Sequence, residues 1–194
     1  MDDIEAAGAA LRIGRLVVLP TDTVYGVGAL PRSRGGVAAI FAAKGRPEEK
    51  AIPVLAASSE DLADVVVFDD RARALASAFW PGPLTLVMRR HPAWPYDLGG
   101  SDASTIAVRV PQNEVALGLL ERTGPLAVTS ANRSDEPAAT TVAQARSALG
   151  DAVAVYLEGG SCDGAPSSVV AVVGEVRMLR EGAVSLGAIY KVTE

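Results

Sequence analysis

Four short stretches of this 194-residue chain gather side chains suited to holding a small anion. Pro20-Thr21-Asp22-Thr23-Val24-Tyr25-Gly26 sets small polar groups, an aromatic ring and a glycine directly after an apolar run. Hydroxyls and free backbone amides at the carboxyl end of a strand are what a small polar ligand requires in an α/β fold. A plain turn would have a similar composition. Lys44-Gly45-Arg46-Pro47-Glu48-Glu49-Lys50 concentrates three cations around a glycine and a proline. Such a cluster can bracket a phosphate or carboxylate, or it can be a solvated loop. In Ser104-Thr105-Ile106-Ala107-Val108-Arg109-Val110-Pro111, alternation puts Thr105, Ala107 and Arg109 on one face. An arginine ending an apolar strand needs a partner, which is either a bound anion or a protein carboxylate. The fourth stretch, Val128-Thr129-Ser130-Ala131-Asn132, again runs from a strand into hydrogen-bonding residues. Asn132 can read a base or sugar edge, or can stabilise the turn with its own side chain.

Other chemistries find little support. No Gly-x-x-x-x-Gly-Lys-Ser/Thr loop occurs, and the would-be dinucleotide fingerprint at Gly26-Val27-Gly28 has Pro31 in its third glycine position. Gly160-Ser161-Cys162-Asp163-Gly164 resembles a nucleophile elbow only loosely. The single histidine, His91, lies far from it and reads as a surface residue. One cysteine, Cys162, excludes an internal disulfide and a Cys-based zinc site. No protein-ligated metal is expected.

The elements that would carry these stretches interleave. Residues 2–13 suit a helix, 15–20 a buried strand, Thr21–Gly28 a loop, and 35–43 a helix. A short strand at 52–55 precedes Ser58-Ser59-Glu60-Asp61, which has hydroxyls to cap a helix and acids to meet its dipole. Residues 70–79 read as a helix, and 84–88 and 106–110 as strands. Asn113 caps a helix that Gly124-Pro125 stops, and a strand follows at 126–129. Thr141-Val142-Ala143-Gln144 matches a capping box, with Gly150 ending that helix. Strands at 152–157, 168–173 and 176–180 close the reading. The last strands follow one another directly, which argues for an α/β fold with a mixed parallel and antiparallel sheet flanked by helices.

With 49% hydrophobic and 21% charged residues, the chain is expected to form one domain over residues 1–194. The acidic N-terminus is unlike a signal peptide and no apolar run is long enough to span a bilayer, so a cytoplasmic location is expected. The formal net charge of −5 disfavours tight binding to a nucleic-acid backbone.

In order and spacing the four stretches, with Phe79-Trp80-Pro81-Gly82-Pro83-Leu84-Thr85 between them, resemble the YrdC-type threonylcarbamoyl-AMP synthase family. The resemblance runs from about Gly14 to Ser185 and favours the short, single-domain form. It implies a twisted mixed sheet around a deep, positively lined cavity. It also implies a nucleotidyltransferase that makes threonylcarbamoyl-AMP and pyrophosphate from ATP, L-threonine and bicarbonate or CO2, with Mg²⁺ accompanying ATP. The product would pass to the proteins that threonylcarbamoylate tRNA. Thr23, Arg109, Ser130 and Ser167 are then expected at the threonine. Lys44, Arg46, Lys50, Thr105, Asn132, Thr140 and Arg180 are expected around ATP, Lys44 and Arg46 as catalytic cations. Ser167-Ser168-Val169-Val170 resembles the family's Ser-Thr-hydrophobic run, and Leu179-Arg180-Glu181-Gly182 its ending. Asn113 stands where a histidine is common, Asp135-Glu136 replaces a usual Ser-Gly, and Ala171 replaces a frequent aspartate.

Two other functions share these features. One is an RNA-binding module using the cavity for a nucleotide, opposed by the negative charge and by only 5% aromatic residues. The other is a carbamoyl-adenylate enzyme with a different acceptor, which would need the same ATP pocket.

Overall fold

The computed structural model describes residues 3–162 and 165–193. Nine strands form one sheet in the order β7-β1-β2-β6-β3-β5-β4-β8-β9. In chain order they are β1 (Leu16–Leu19), β2 (Gly26–Ala29), β3 (Val54–Leu55), β4 (Leu84–Arg89), β5 (Thr105–Arg109), β6 (Leu126–Ser130), β7 (Val153–Tyr156), β8 (Ser168–Ala171) and β9 (Arg177–Arg180). Pairs β1–β7, β3–β5 and β4–β8 are parallel and the other five antiparallel, so the sheet is mixed as expected. The helices are α1 (Asp3–Arg12), α2 (Arg34–Lys44), α3 (Asp70–Phe79), α4 (Glu114–Thr123), α5 (Val142–Leu149) and α6 (Leu186–Thr193).

Helix starts follow the side chains that can satisfy free amides. Ser33, Asp69 and Asn113 accept from Gly36, Ala72 and Ala116 respectively, and Thr141 with Gln144 forms the expected capping box. Gly45 ends α2 at φ 59°, where an L side chain is disfavoured. Two expectations are corrected. Gly26–Ala29 leaves the presumed loop and pairs with β1 and β6, because its backbone lies against theirs. A Cβ at Gly26 would stand 2.6 Å from the Val128 side chain, so that strand needs glycine there. Ser58 does not start an α-helix. Its hydroxyl and Asp61 bond each other, and the chain makes only one 3-10 turn at Glu60–Leu62. Helix α6 adds an element beyond those expected and packs Ile189 into the core.

The two faces of the sheet are covered unequally. One face carries buried residues from β1 to β8, among them Leu16, Val27, Val54, Leu84, Leu86, Val108, Ala127, Val153 and Val170, with Met178 of β9 partly buried against them, under α2, α3, α5 and α6. The other face is covered by α1 and α4, whose Leu11, Leu119 and Leu120 meet Val17 and Leu19 of β1, Leu55 of β3 and Leu126 and Val128 of β6. Beyond Leu55 this second layer stops. The equivalent positions on β5, β4 and β8 are Ala107, Arg109, Thr85 and Val169, and they line an open hollow. No helix among the described residues is long and apolar enough to cross a membrane.

Candidate functional site

The hollow at the edge of the second layer has a volume of about 290 Å³. Its polar lining comes from Thr21, Thr23, Arg46, Thr85, Arg109, Ser130, Ser167 and Arg180, with Pro53, Leu55, Val128 and Val169 as apolar floor. Two walls face each other, each ending in an arginine.

The first wall grows from the β1–β2 connection. Thr21 Oγ1 donates to the Val24 carbonyl at 2.6 Å and accepts the amides of Thr23 and Val24. A hydroxyl has one hydrogen. The 3.0 Å contact between Thr21 Oγ1 and Thr23 Oγ1 is therefore donated by Thr23. Thr23 in turn accepts from Arg109 Nη1 at 2.9 Å. Arg109 is only 5% exposed. Its Nε donates to the Gly82 carbonyl at 2.9 Å and its Nη2 to Asp22 Oδ1 at 2.6 Å. Of the two partners left open for this arginine, a protein carboxylate is present, while the guanidinium still faces the hollow. Burial disfavours its charge, Asp22 favours it and Arg180 disfavours it.

The second wall joins β4, β8 and β9. Thr85 Oγ1 and Ser167 Oγ lie 2.9 Å apart. Arg180 donates through Nε and Nη2 to the Ser167 carbonyl at 3.2 and 2.8 Å, and through Nη2 to Ser167 Oγ at 3.2 Å. No carboxylate pairs with Arg180 among the described residues, and partial burial lowers its pKa. Gly182 makes this wall possible. A Cβ there would collide with the Pro166 carbonyl and the Ser167–Ser168 backbone. The glycine lets the chain close against Pro166–Ser168, and its amide donates to Ser168 Oγ at 2.9 Å.

Arg46 enters from the basic turn. Its Nε and Nη2 donate to the Lys50 and Ala51 carbonyls at 2.9 and 2.8 Å, so the side chain shapes its own loop while lining the hollow. Tyr25, fully buried, also lines it. Its hydroxyl donates to the Gly160 carbonyl and accepts the Gly159 amide, and burial pushes its pKa up to about 12.

Six expected site residues therefore meet in one hollow: Thr23, Arg46, Arg109, Ser130, Ser167 and Arg180. Five others lie elsewhere. Lys44 is 3% exposed and donates to the Ser130 carbonyl at 2.6 Å and to the Asn132 carbonyl, tying α2 to the exit of β6. Burial, with Arg46 adding repulsion, pushes its pKa down to about 8. The solvated-loop reading is thus wrong for Lys44. Asn132 spends its amide on the Arg133 and Glu136 carbonyls, the turn-stabilising role. It borders a second hollow of about 440 Å³ that shares Ala138 with the first. Thr140 bonds Gln144 in the α5 cap, Thr105 bonds Asp102, and Lys50 reaches Asp135 at 3.9 Å on the surface.

The sequence reading missed Thr85, and with it Asp22 as partner of Arg109. A threonine between Leu84 and Leu86 was the available signal for Thr85, since an apolar strand with one hydroxyl on its other face borders something polar. Among the described residues no group of three or more His, Cys, Asp or Glu side chains could hold a metal ion.

The chain is similar to known proteins in both sequence and fold. The Sua5_yciO_yrdC family model, described as "Telomere recombination", matches residues 9–182. A Mycobacterium leprae protein named "Putative threonylcarbamoyl-AMP synthase" is 45% identical over 192 residues, 97% of this chain and 87% of that one. The Bacillus subtilis "Threonylcarbamoyl-AMP synthase" is 33% identical, covering 94% of this chain and 54% of that enzyme. The crystal structure of Pyrococcus abyssi Sua5 complexed with L-threonine superposes with TM-score 0.92 at 36% identity, covering 97% of this chain. The chain spans 56% of the length of that structure.

Proposed function

Because the chain belongs to the Sua5/YciO/YrdC family, we propose that it is an L-threonylcarbamoyladenylate synthase, a nucleotidyltransferase acting on ATP, L-threonine and bicarbonate or CO2. The observation that carries this reading is the pair of hydroxyl chains, each ending in an arginine, around one small hollow. Threonine presents a carboxylate, an amine and a hydroxyl, and a wall of threonine and serine hydroxyls beside a held guanidinium can meet all three.

The reaction joins anions. The threonine amine and bicarbonate give a carbamate with loss of water. The carbamate oxygen then forms a bond to the α-phosphorus of ATP as the bond to pyrophosphate breaks. Two negative groups must be brought together and aligned, so fixed cations lower the barrier by neutralising charge without reorganising. Arg109 takes the threonine carboxylate. Arg180 and Arg46, which have no carboxylate partner among the described residues, supply charge to the carbamate and phosphates. Lys44 acts by holding the Ser130–Asn132 turn against the end of α2. The side chains of the hollow are cations, hydroxyls and apolar groups, which do not suit Mg²⁺ as direct ligands. The ion would accompany the ATP phosphates and would supply charge neutralisation there. The product would feed tRNA threonylcarbamoylation, and on that ground we propose a cytoplasmic location.

The test is pyrophosphate release. Purified protein should release it from ATP only when both L-threonine and bicarbonate are present. Equal release without any amino acid, or with an unrelated one, would overturn the threonine assignment.

A further inference from the structure

We propose that Asp22 is a positioning residue for the carboxylate-binding arginine, fixing the Arg109 guanidinium so that its unused N–H groups are presented to the substrate. The proposal rests on the reading that Arg109 receives the threonine carboxylate. A guanidinium has five N–H donors. Three are used here, by the Gly82 carbonyl, Thr23 Oγ1 and Asp22 Oδ1, which leaves two for a ligand. Nε, Nη1 and Nη2 each have a separate anchor, so the fork cannot turn without losing one.

Asp22 is the charged anchor, and charge-assisted bonds are the stronger ones. Its Oδ1 also accepts the Gln112 amide at 2.9 Å. That bond pins the carboxylate to the turn leading into α4, so it cannot swing to follow the arginine. The other oxygen, Oδ2, is buried and has no hydrogen-bond partner among the described residues. Arginine–carboxylate pairs are frequently two-bond forks that use both carboxylate oxygens. Such a fork would consume another Arg109 N–H. The single-bond arrangement leaves one carboxylate oxygen idle and keeps the arginine's donors free. It does so although a negative charge beside the pocket repels an incoming carboxylate. Orientation therefore outweighs local charge in this wall.

That balance gives the proposal a sign that experiment can read. Threonine binding is measured by calorimetry, and KM for threonine and for ATP by pyrophosphate release, for wild type, Asp22→Ala, Asp22→Asn, Arg109→Ala and Asp22→Ala/Arg109→Ala. Asp22→Ala should weaken threonine binding about tenfold or more while KM for ATP stays within about twofold. Asp22→Asn, whose amide oxygen can still accept from Arg109 and Gln112, should recover most of that loss. The double variant should bind threonine no worse than Arg109→Ala alone, because Asp22 acts through Arg109. If Asp22→Ala does not fold, Asp22→Gln moves the amide by one methylene and gives the same readout. Unchanged or tighter threonine binding in Asp22→Ala would overturn the proposal in favour of simple charge neutralisation. Equal losses for threonine and ATP would overturn it in favour of a purely structural role, and additivity with Arg109→Ala would overturn it too. Wild-type protein that releases pyrophosphate yet binds no threonine would overturn the substrate reading as well.

Discussion

The two arginine walls use the same components under different constraints. Arg109 is buried, anchored at all three nitrogens and matched by Asp22, whereas Arg180 is more open, rests on the oxygens of one serine and has no carboxylate partner among the described residues. A guanidinium fixed on every side can select a ligand by geometry. One that keeps its charge unmatched attracts anions of several shapes. The difference suits a site that takes one fixed carboxylate and a group whose charge moves during reaction.

The comparison is broken most severely through Gly182. A methyl group there meets backbone, which cannot yield as a flexible side chain would. Gly182→Ala should lower stability by about 3 kcal/mol, the upper end of overpacking costs, and displace Arg180 from Ser167. Denaturant unfolding together with turnover measures both, and a variant with wild-type stability and activity would refute the close approach.

Replacing each arginine with lysine sharpens the contrast. Arg109→Lys loses a planar fork with several simultaneous bonds, so about 1.5–3 kcal/mol of threonine binding should disappear, an effect of about ten- to a hundredfold. Arg180→Lys keeps the charge in a more exposed place and should cost only about threefold. Threonine titrations at saturating ATP compare the two, and equal losses would erase the distinction between the walls.

The smallest effect concerns Lys44. Unfolded, this amine titrates near the ordinary lysine value of about 10.4. Folded, burial holds it down at about 8. Between those values the unfolded chain binds more protons, so this group makes stability rise with pH. The stability of wild type minus that of Lys44→Met should therefore become more positive from about pH 8 to about pH 10.5. Urea unfolding of both proteins across that range measures it, and a fall in wild-type stability relative to the variant would contradict the assigned direction.

Much of this architecture is legible because local rules agree with the fold. Capping residues such as Ser33, Asn113 and Thr141 mark helix starts by chemistry that acts within four residues, and the structure keeps them. Strand β2 escaped notice because Gly26 and Gly28 carry no strand signal. They belong to a strand only because Val128 and its neighbours come within contact from far along the chain. The site divides in the same way. Residue types gave the hydroxyl and arginine stretches, but not which hydroxyl faces which arginine. Pairing Thr85 with Ser167, or Asp22 with Arg109, depends on strand order, which composition does not encode. The basic turn shows the reverse error. Three neighbouring cations suggested one shared role, yet Arg46 reaches the hollow, Lys50 points to solvent and Lys44 turns inward.

That inward lysine also makes the molecule its own reporter of local opening. The chain has only three lysines, Lys44, Lys50 and Lys191, and Lys50 and Lys191 are exposed. An acylating reagent meets those two directly. It can reach Lys44 only after the end of α2 parts from the Ser130–Asn132 turn, which holds the amine in its hydrogen bonds. Opening of this kind has its own free energy, separate from global unfolding. The ratio of Lys44 to Lys50 labelling, read residue by residue, thus counts how often the back of the site comes apart while the rest of the domain stays folded.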